Sequence, residues 1–421
     1  MPASKASAKR LPFQFWIVAS ISFINAVSFT IIIPVLYPYA KQFGLSDFEA
    51  SLLTTAYSLS QFFGTPVLGQ LSDQWGRKPL LVISLLGTVI ANVVAALAGI
   101  PLLLFAARIL DGITGGNNSV AQAVVSDMTT PEQRTQAFGI YSGLFRLGFV
   151  AGPPLSYLAQ TVPPVPGISR LGMSFLVSAA IALLAAILCF FFLPETQANT
   201  QSQTQEPTDS SAPPSPIVKK RPNPFNLTGL FTALARPVVG RILLMTFLNG
   251  FTFTIFTFAF QPFFINVLKQ DAKNLAIAFV AVGLLSFVAQ VFTLEPLRQR
   301  FSLVNLLVGS LIARGVLFML MPALPNIVAF AVLLCFFGLA NAFPMPLIDS
   351  ILSTRSSQRE QGEVLGLNAS YLSISNAFGP AFSGLLVTAF GYAMPFWIAG
   401  GLTVVVAAFA ATLKKPEPEA Q

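Results

Sequence analysis

The sequence predicts an all-α integral membrane protein in which twelve transmembrane helices form two pseudo-symmetric six-helix bundles. Apolar residues make up 54% of the 421 residues and charged residues only 10%, which is too little charge to cover the surface of soluble domains. Eight stretches without any charge each exceed the roughly 20 residues that cross a bilayer as a helix. A segment of the first half also recurs in the second half, with two of its glycines and one proline in place.

The apolar runs set the spans, which are helical because only a helix satisfies its own backbone within lipid. The run that follows Lys9 and Arg10 is too long for a signal peptide, so we interpret it as an uncleaved first span. The last run is fifty residues long and holds two spans, which separate near Gly391–Pro395. The predicted spans cover residues 12–38, 48–71, 79–99, 101–126, 136–159, 170–193, 238–266, 274–294, 302–321, 326–350, 362–390 and 393–413.

A change in composition between Glu195 and Arg236 marks the boundary between the two bundles. This stretch is rich in Gln, Thr, Ser, Pro and Lys and has no apolar periodicity, which is typical of a flexible tether. A regulatory or partner-binding role is the alternative. The predicted segments are a cytoplasmic N-terminus (1–11), a first bundle (12–193), a flexible cytoplasmic linker (194–237), a second bundle (238–413) and a cytoplasmic tail (414–421).

The basic residues predict the orientation in the membrane. Seventeen Lys and Arg fall in the segments on the side of the two termini. The opposite side has only Lys41, Arg170, Lys269 and Lys273. Because cytoplasmic loops carry the excess of Lys and Arg, we expect a multi-pass protein of the cell membrane (inner or plasma membrane) with both termini in the cytoplasm.

The two halves repeat one another. A shift of 227 residues aligns 134–156 with 361–383, so that span five corresponds to span eleven. The shift superimposes four pairs: Gly139 on Gly366, Gly152 on Gly379, Pro153 on Pro380, and Ser156 on Ser383. Repeated halves with a binding site between them are the organisation expected for alternating access.

A polar turn, Gly69–Pro79, lies between the second and third apolar runs. It holds Asp73, Arg77 and Lys78 within six residues. Gly69 and Gly76 permit close backbone approach and positive φ, and Pro79 suits the first turn of the next helix. The spacing G-x-L-x-D-x-x-G-R-K-P resembles the signature loop of the major facilitator superfamily, which joins spans two and three at the cytoplasmic face.

This resemblance implies a cytoplasmic latch. Arg77 is expected to pair with Asp127 at the inner end of span four, and Asp73 to face the positive start of span eleven, near residues 361–363. Both contacts would exist only while the cytoplasmic side is closed; the alternative is that Asp127 only ends a helix. Asp349, with Arg298 and Arg300 near it, is expected to form a weaker mirror image. The predicted gate comprises Gly69, Asp73, Gly76, Arg77, Lys78 and Asp127.

Four charges are expected inside the bilayer, where charged side chains are costly and normally face a cavity or a partner. Arg108 and Asp111 share one face of span four, whereas Arg146 and Arg314 lie deep in spans five and nine. The segment Arg108–Gly112 resembles the span-four arginine motif of the family, whose arginine is implicated in proton transfer. Asp111 is therefore the candidate proton carrier together with Arg108; the alternative is a static pair that holds the bundle.

Span five carries Gly148, Gly152 and Pro153, which resemble the G-x-x-x-G-P motif of exporters that exchange substrate against protons. Small residues allow close helix contact, and proline bends the helix by removing a backbone hydrogen bond. Ser156 and Tyr157 stand where the motif usually continues with two glycines. A plain packing seam would have the same pattern.

Polar and aromatic residues near the middle of the spans are the candidates for the substrate cavity. The seventh span is rich in Phe, and one or two of these rings are expected to line a site for flat apolar ligands. The candidates are Asn25, Tyr57, Gln61, Asn117, Asn118, Gln122, Arg146, Asn249, Phe253, Phe256, Gln261, Arg314 and Asn341.

Taken together, the chain resembles the twelve-span drug:proton antiporter branch of the major facilitator superfamily, and tetracycline-efflux and multidrug pumps in particular. Asn25 and Ala91 occupy places where tetracycline pumps carry acids, which moves the expected proton site toward Asp111. The resemblance implies a proton-coupled exporter of small amphiphilic compounds. The runner-up is a facilitator or symporter of an anionic metabolite, which would be held by Arg108, Arg146 and Arg314.

Several functional classes are not expected. The chain has no His, and Cys189 and Cys335 both lie within apolar runs, so neither a metal site nor a disulfide is predicted. No catalytic dyad, cofactor motif or basic stripe for nucleic acid occurs, and we therefore expect no enzyme activity. The expected partners are a small-molecule substrate, protons and the lipid bilayer, and the chain is expected to be a monomer because it supplies both halves.

Overall fold

The computed structural model describes residues 11–196, 227–355 and 361–414, with the side chains of all of these except 131, 132, 135, 227–230, 361–363 and 414. Within these ranges the chain forms helices and no strand. The predictions for the N-terminal segment, for most of the linker and for most of the tail fall outside the described residues.

The first half contains seven helices. Their bounds are α1 Phe13–Gln42, α2 Asp47–Trp75, α3 Arg77–Ala96, α4 Pro101–Thr114, α5 Asn117–Met128, α6 Pro131–Thr161 and α7 Gly172–Phe192. Local sequence sets where they begin. The Ser46 hydroxyl accepts a hydrogen bond from the backbone N–H of Glu49, and the Glu49 carboxylate accepts one from the backbone N–H of Ser46. The two bonds form a capping box at the start of α2.

The second half repeats this pattern after a short helix. Its described helices are α8 Leu227–Leu234, α9 Val239–Pro262 with a π-helical extension Phe263–Val267, α10 Ala272–Arg300, α11 Leu303–Ala323, α12 Ile327–Asn341, α13 Pro344–Thr354, α14 Gln361–Phe390 and α15 Met394–Ala411, followed by a 3₁₀ turn Thr412–Lys414. Asp271 and Ser302 cap α10 and α11.

Two predicted spans are broken near their middle, where we expected continuous helices. The fourth is interrupted between Thr114 and Asn117, because Gly115 and Gly116 are poor helix formers. The tenth is interrupted before Pro344, whose ring and missing N–H do not continue a helix but suit a new first turn. The two breaks are 227 residues apart, which is also the shift that relates the repeated segments.

In the described ranges, nine helical segments are long and apolar enough to cross a membrane, and one of them is the interrupted pair α12–α13. The other three predicted spans coincide with α2, with α6 and with the pair α4–α5, so every predicted range is helical. Large apolar side chains such as Phe191, Phe292 and Val328 are 70%, 69% and 68% exposed, as expected of a lipid-facing surface. The count of twelve crossings stays a prediction.

The two halves meet along α2 and α14 and along α6 and α10. We call the end of the bundle that carries Gly76 the Gly76 end, and the opposite end the Tyr37 end. At the Tyr37 end the approach is close, because a Cβ on Gly384 of α14 would overlap the Ser51 side chain of α2. Midway, Gly283 of α10 lies against Val150 of α6.

Candidate transport site

The signature turn is shorter than its sequence indicated. Helix α2 continues through Trp75 and α3 begins at Arg77, so that Gly76 alone separates them, with a φ of 101° that favours glycine. Pro79 lies in the first turn of α3, as predicted. Close approach is not observed at Gly69, where an added Cβ would meet only Ser119 Oγ at 3.9 Å.

Arg77 is the centre of a polar cluster at this turn. Its Nε lies 3.1 Å from Asp127 Oδ2, and its Nη1 lies 2.5 Å from Asp73 Oδ1 and 2.6 Å from Ser72 Oγ. Lys78 Nζ lies 5.6 Å from the ring of Phe190. The expected Arg77–Asp127 contact is therefore present. Both residues belong to the first half, so the pair does not itself join the halves.

Glu195 completes the turn and was missed by the sequence reasoning, which placed it in the linker. Its carboxylate accepts hydrogen bonds from the backbone N–H groups of Arg77 at 2.9 Å and Lys78 at 3.2 Å. These N–H groups open α3 and have no partner within the helix. Sequence offered no signal for this contact, because more than a hundred residues separate the partners. Asp73 was also expected to face residues 361–363, whose side chains the structure does not describe.

Arg108 and Asp111 form a buried ion pair on α4. Nη1 lies 2.7 Å from Asp111 Oδ2, and the two side chains are 4% and 6% exposed. The guanidinium also lies over the ring of Tyr57, with Cζ 4.3 Å from the ring centroid. The predicted neighbours on span four are thus brought together, and Tyr57 of α2 covers them.

The break between α4 and α5 is held by α2. Gln61 Nε2 donates to the carbonyl of Gly115 at 3.0 Å and to the hydroxyl of Tyr57 at 3.1 Å. The carbonyl that the break leaves without a helical partner is therefore satisfied by a side chain. A Cβ at Gly112 would overlap the backbone of Tyr57, so α4 and α2 touch directly. Tyr57 and Gln61 both lie beside the Arg108–Asp111 pair.

On the other side of the break, Asn117 opens α5. Asn25 Nδ2 of α1 donates to Asn117 Oδ1 at 3.0 Å, and Tyr141 donates its hydroxyl to Asn118 Oδ1 at 2.5 Å. Asn25, Asn117, Asn118 and Tyr141 line a small cavity that Leu81 and Leu85 close. Gln122, one turn further on, is exposed and is not part of this group.

The predicted antiporter motif forms a tight seam between α6 and α1. A Cβ on Gly148 would lie 2.6 Å from Ala26 Cβ, and a Cβ on Gly152 would overlap Thr30 Oγ1. Thr30 Oγ1 donates to the carbonyl of Gly148 at 3.1 Å, and Pro153 follows inside the helix. The glycines are required here by close approach of the two backbones.

The second half contains the same seam between α9 and α14. Thr254 Oγ1 donates to the carbonyl of Ser375 at 3.2 Å, and a Cβ on Gly379 would overlap Thr254 Oγ1. Ser375 and Gly379 follow Gly148 and Gly152 by 227 residues. The repeat inferred from the sequence is therefore also a repeat of contacts.

Arg314 is the centre of a polar group inside the second half. Its Nη2 donates to Asn249 Oδ1 at 2.7 Å and to Thr252 Oγ1 at 3.4 Å, and its Nη1 donates to Asn341 Oδ1 at 3.4 Å. The side chain is 1% exposed. Three of the predicted cavity residues thus lie together, and Asn341 is the last residue before the break that ends α12.

The phenylalanines of α9 have different environments. Phe256 is buried among other rings, with centroids 4.3 Å from Phe318 and 4.6 Å from Phe337. Phe253 is half-buried, whereas Gln261 is buried near the Tyr37 end and its Oε1 has no partner among the described residues. Phe256 is therefore beside the Arg314 group, whereas Gln261 lies twelve residues beyond Asn249 along α9.

Arg146 pairs with a carboxylate of the other half. Its Nη2 lies 3.8 Å from Asp349 Oδ2, and Asp349 Oδ1 accepts a hydrogen bond from Asn368 Nδ2 at 3.1 Å. Arg298 pairs instead with Glu295 of its own helix, at 3.6 Å. The mirror latch expected between Asp349 and Arg298 or Arg300 is therefore wrong, because Asp349 points across the interface to Arg146.

A second polar group, at the Tyr37 end, was also missed. Tyr37 donates its hydroxyl to Asp47 Oδ1 at 2.6 Å and accepts a hydrogen bond from Asn266 Nδ2 of the second half at 2.9 Å. Lys41 Nζ lies 3.0 Å from Asp47 Oδ1. Burial, and then the nearby Asp47 carboxylate, raise the pKa of Tyr392 in the loop between α14 and α15. These residues close the halves against each other.

Comparison with known proteins agrees with this architecture. The profile of the Major Facilitator Superfamily matches residues 18–240 and 242–421. Tetracycline resistance protein class C of Escherichia coli is 28% identical over 393 residues, which cover 91% of each chain. Multidrug resistance protein 2 of Bacillus subtilis (strain 168) is 25% identical over 392 residues, which cover 93% of this chain and 92% of that protein.

The fold agrees with solved structures as well. A D-xylose–proton symporter superimposes with a TM-score of 0.76 at 14% identity and covers 98% of this chain and 100% of its own. The profile spans both halves, and the relatives match over most of both lengths. The chain therefore belongs to the Major Facilitator Superfamily of membrane transporters.

Proposed function

We propose that this transporter exports small amphiphilic compounds in exchange for protons, by alternating access at a site between its two halves. The resistance proteins among its relatives support export. The Gly148–Gly152 seam supports an antiporter, because it reproduces the contact expected of that motif. Asp111 carries the proposal: it is a buried carboxylate beside the broken helix, and its only ion-pair partner in the described chain is Arg108.

The proposed roles follow from the geometry. Asp111 takes up and releases the proton, and Arg108 stabilises its ionised form at 2.7 Å. Tyr57 and Gln61, both on α2, hold the broken span through the carbonyl of Gly115. A change of charge at Asp111 therefore changes the electrostatic interactions at the break. Arg77, Asp73 and Asp127 act at the Gly76 end, which we place in the cytoplasm together with both termini of a monomer in the cell membrane.

The alternative, a facilitator or symporter of an anionic metabolite held by Arg108, Arg146 and Arg314, has less support. Arg108 and Arg146 each face a carboxylate, at 2.7 Å and 3.8 Å. Their charge is therefore already balanced within the chain, and only Arg314 retains the character of a clamp. An anionic metabolite held by all three would have to compete with Asp111 and Asp349.

The proposal is tested in proteoliposomes, with a substrate first found by thermal-shift screening of the purified full chain. An imposed pH gradient should drive accumulation of that substrate, and Asp111→Asn should abolish this accumulation while substrate–substrate counterflow continues. Counterflow also shows that the variant is folded. Glu295→Gln is the matched control, since it removes a carboxylate that is 66% exposed. Gradient-driven accumulation at the wild-type rate in Asp111→Asn would refute the role of Asp111.

A further inference from the structure

Arg314 is the least exposed charged residue of the described chain, with 1% of its surface accessible. It is the twelfth of the 21 residues of α11 and so lies near the middle of its span. A guanidinium at this depth is stable only if a counter-charge or a complete set of hydrogen bonds replaces its water. The surroundings of Arg314 therefore show what it can bind.

Hydrogen bonding to Arg314 is incomplete. Its partners Asn249, Thr252 and Asn341 contribute neutral amide and hydroxyl oxygens, two of them at 3.4 Å. The guanidinium has five N–H donors. Its Nε–H is buried and has no hydrogen-bond partner among the residues that the structure describes. Donor capacity thus remains for a further acceptor.

The charge of Arg314 is not balanced either. Arg77, Arg108 and Arg146 lie within 4 Å of Asp127, Asp111 and Asp349, respectively. Arg314 has no carboxylate within that distance in the described chain. One full positive charge consequently remains in the interior of the second half, where the low dielectric strengthens its attraction for an anion.

The position of this charge is that of a ligand site. Asn341 ends α12 at the break, and interrupted helices frame the binding sites of many transporters. Asn341 is half-buried, so this side of the group is less enclosed than Arg314 itself. On the other side, the Phe318 centroid lies 5.7 Å from Arg314 Cζ, and Phe256 stacks on Phe318 at 4.3 Å. A charged group and a stack of buried aromatic rings therefore adjoin.

We infer that Arg314, Asn249 and Asn341 bind the acidic group of the substrate, and that the transported amphiphiles are aromatic monoanions such as carboxylates. A single negative charge balances the single free guanidinium, and a carboxylate offers two oxygens to its donors. Phe256 and Phe318 are 3% and 0% exposed in this form, and their rings receive the apolar body when the helices around Arg314 move apart during transport. This inference rests on the proposed function for the transported amphiphiles and names residues of the second half that hold their acidic group, but its binding step requires neither protons nor export.

The first experiment compares three probes of the same shape and different charge, with the full chain in lipid nanodiscs and no pH gradient. The probes are 2-naphthoate, 2-naphthylmethanol and 2-naphthylmethylammonium. Naphthoate should bind at least about tenfold more tightly than the neutral alcohol, because a charge-assisted hydrogen bond is stronger than a neutral one. Equal or weaker binding of naphthoate would overturn the inference.

Substitution of Arg314 assigns the preference to this residue. Arg314→Gln should weaken naphthoate binding by about 10- to 100-fold, since each hydrogen bond to a charged group contributes that order of affinity. Binding of 2-naphthylmethanol should stay unchanged. Arg170→Gln is the matched control, because it removes a positive charge from an exposed loop. Retention of wild-type naphthoate affinity in Arg314→Gln would refute the site.

A second variant keeps the test decisive if Arg314→Gln does not fold. Asn249→Asp is nearly isosteric and puts a carboxylate oxygen 2.7 Å from Arg314 Nη2. This internal counter-ion should raise the melting temperature and abolish the preference for naphthoate over the alcohol. A raised melting temperature with unchanged naphthoate affinity would refute the inference. Normal naphthoate binding without gradient-driven transport would instead refute the proposed function alone.

Discussion

Arg146 Nη2 of the first half lies 3.8 Å from Asp349 Oδ2 of the second half, and this ion pair connects α6 to α13. Asn368, itself hydrogen-bonded to Thr246 at 2.6 Å, holds Asp349 at 3.1 Å. The pair thus ends a polar chain that runs from the interior of the second half to its interface with the first. Since alternating access separates the halves at one end at a time, such a pair is expected to favour the form in which it is made.

Charge reversal tests this contribution. Arg146→Asp should shift the equilibrium away from the paired form, and Asp349→Arg added to it should restore the wild-type balance. Both side chains are more than one third exposed, so we expect a coupling of only about 0.2–1 kcal/mol. Spin-label distances across the Gly76 end measure the two populations. The same reversal of Glu295 and Arg298, which lie on one helix, is the control and should move neither population.

The Arg108–Asp111 pair should be important for stability as well as for transport. Asp111→Asn leaves a buried guanidinium without its counter-charge, which costs about 3–5 kcal/mol when a buried pair is broken. The double variant Arg108→Gln with Asp111→Asn should recover most of this loss, because no unbalanced charge remains. Thermal unfolding in detergent compares the variants. A double variant less stable than Asp111→Asn would contradict the explanation.

Substitution of the seam glycines by alanine should lower the stability of the two halves by similar amounts. Gly152→Ala and Gly379→Ala bring a Cβ into Thr30 or Thr254, and such overpacking costs about 1–3 kcal/mol. Gly139→Ala and Gly366→Ala are the controls. An added Cβ at either meets no atom within 4 Å, and both glycines lie within helices. These controls should be neutral or more stable. Equal losses in all four variants would show that close approach is not the cause.

The contacts of Tyr37 should decide how readily the Tyr37 end opens. Tyr37→Phe removes the hydrogen bond to Asp47 and the one from Asn266 of the other half. The loss of about 1–2 kcal/mol should raise the open population roughly 5- to 30-fold. Spin-label distances between α2 and α14 at the Tyr37 end measure the open population. Tyr157→Phe is the control, since the Tyr157 hydroxyl makes no hydrogen bond to a described residue; an equal effect there would contradict the assignment.

Sequence patterns sufficed where a local rule applies. The apolar runs located a helix at every predicted span, and the repeat of Gly152 at Gly379 indicated two equivalent seams. Spacing on one helix was enough to pair Arg108 with Asp111. Arg77 and Asp127 were expected together because the family resemblance supplied the contact, not because either residue indicates it alone.

Contacts between distant residues could not be predicted in this way. Glu195 was assigned to the linker by composition, yet it caps α3. Asp349 was assigned to neighbours at the same end of the bundle, whereas its partner Arg146 belongs to the other half. Gly115 and Gly116 disfavour a helix at the break in the fourth span, but the hydrogen bond from Gln61 to the Gly115 carbonyl is a property of the tertiary structure.

The two seams also bear on how the polypeptide is made. Each is closed by residues of a single half, Thr30 with Gly152 and Thr254 with Gly379. The ribosome has therefore released every partner of the first seam before it has translated the start of the second. Since domains fold as units during synthesis, with the N-terminal one first, the first bundle can assemble in the bilayer as an independent folding unit, and the second can dock onto a finished surface.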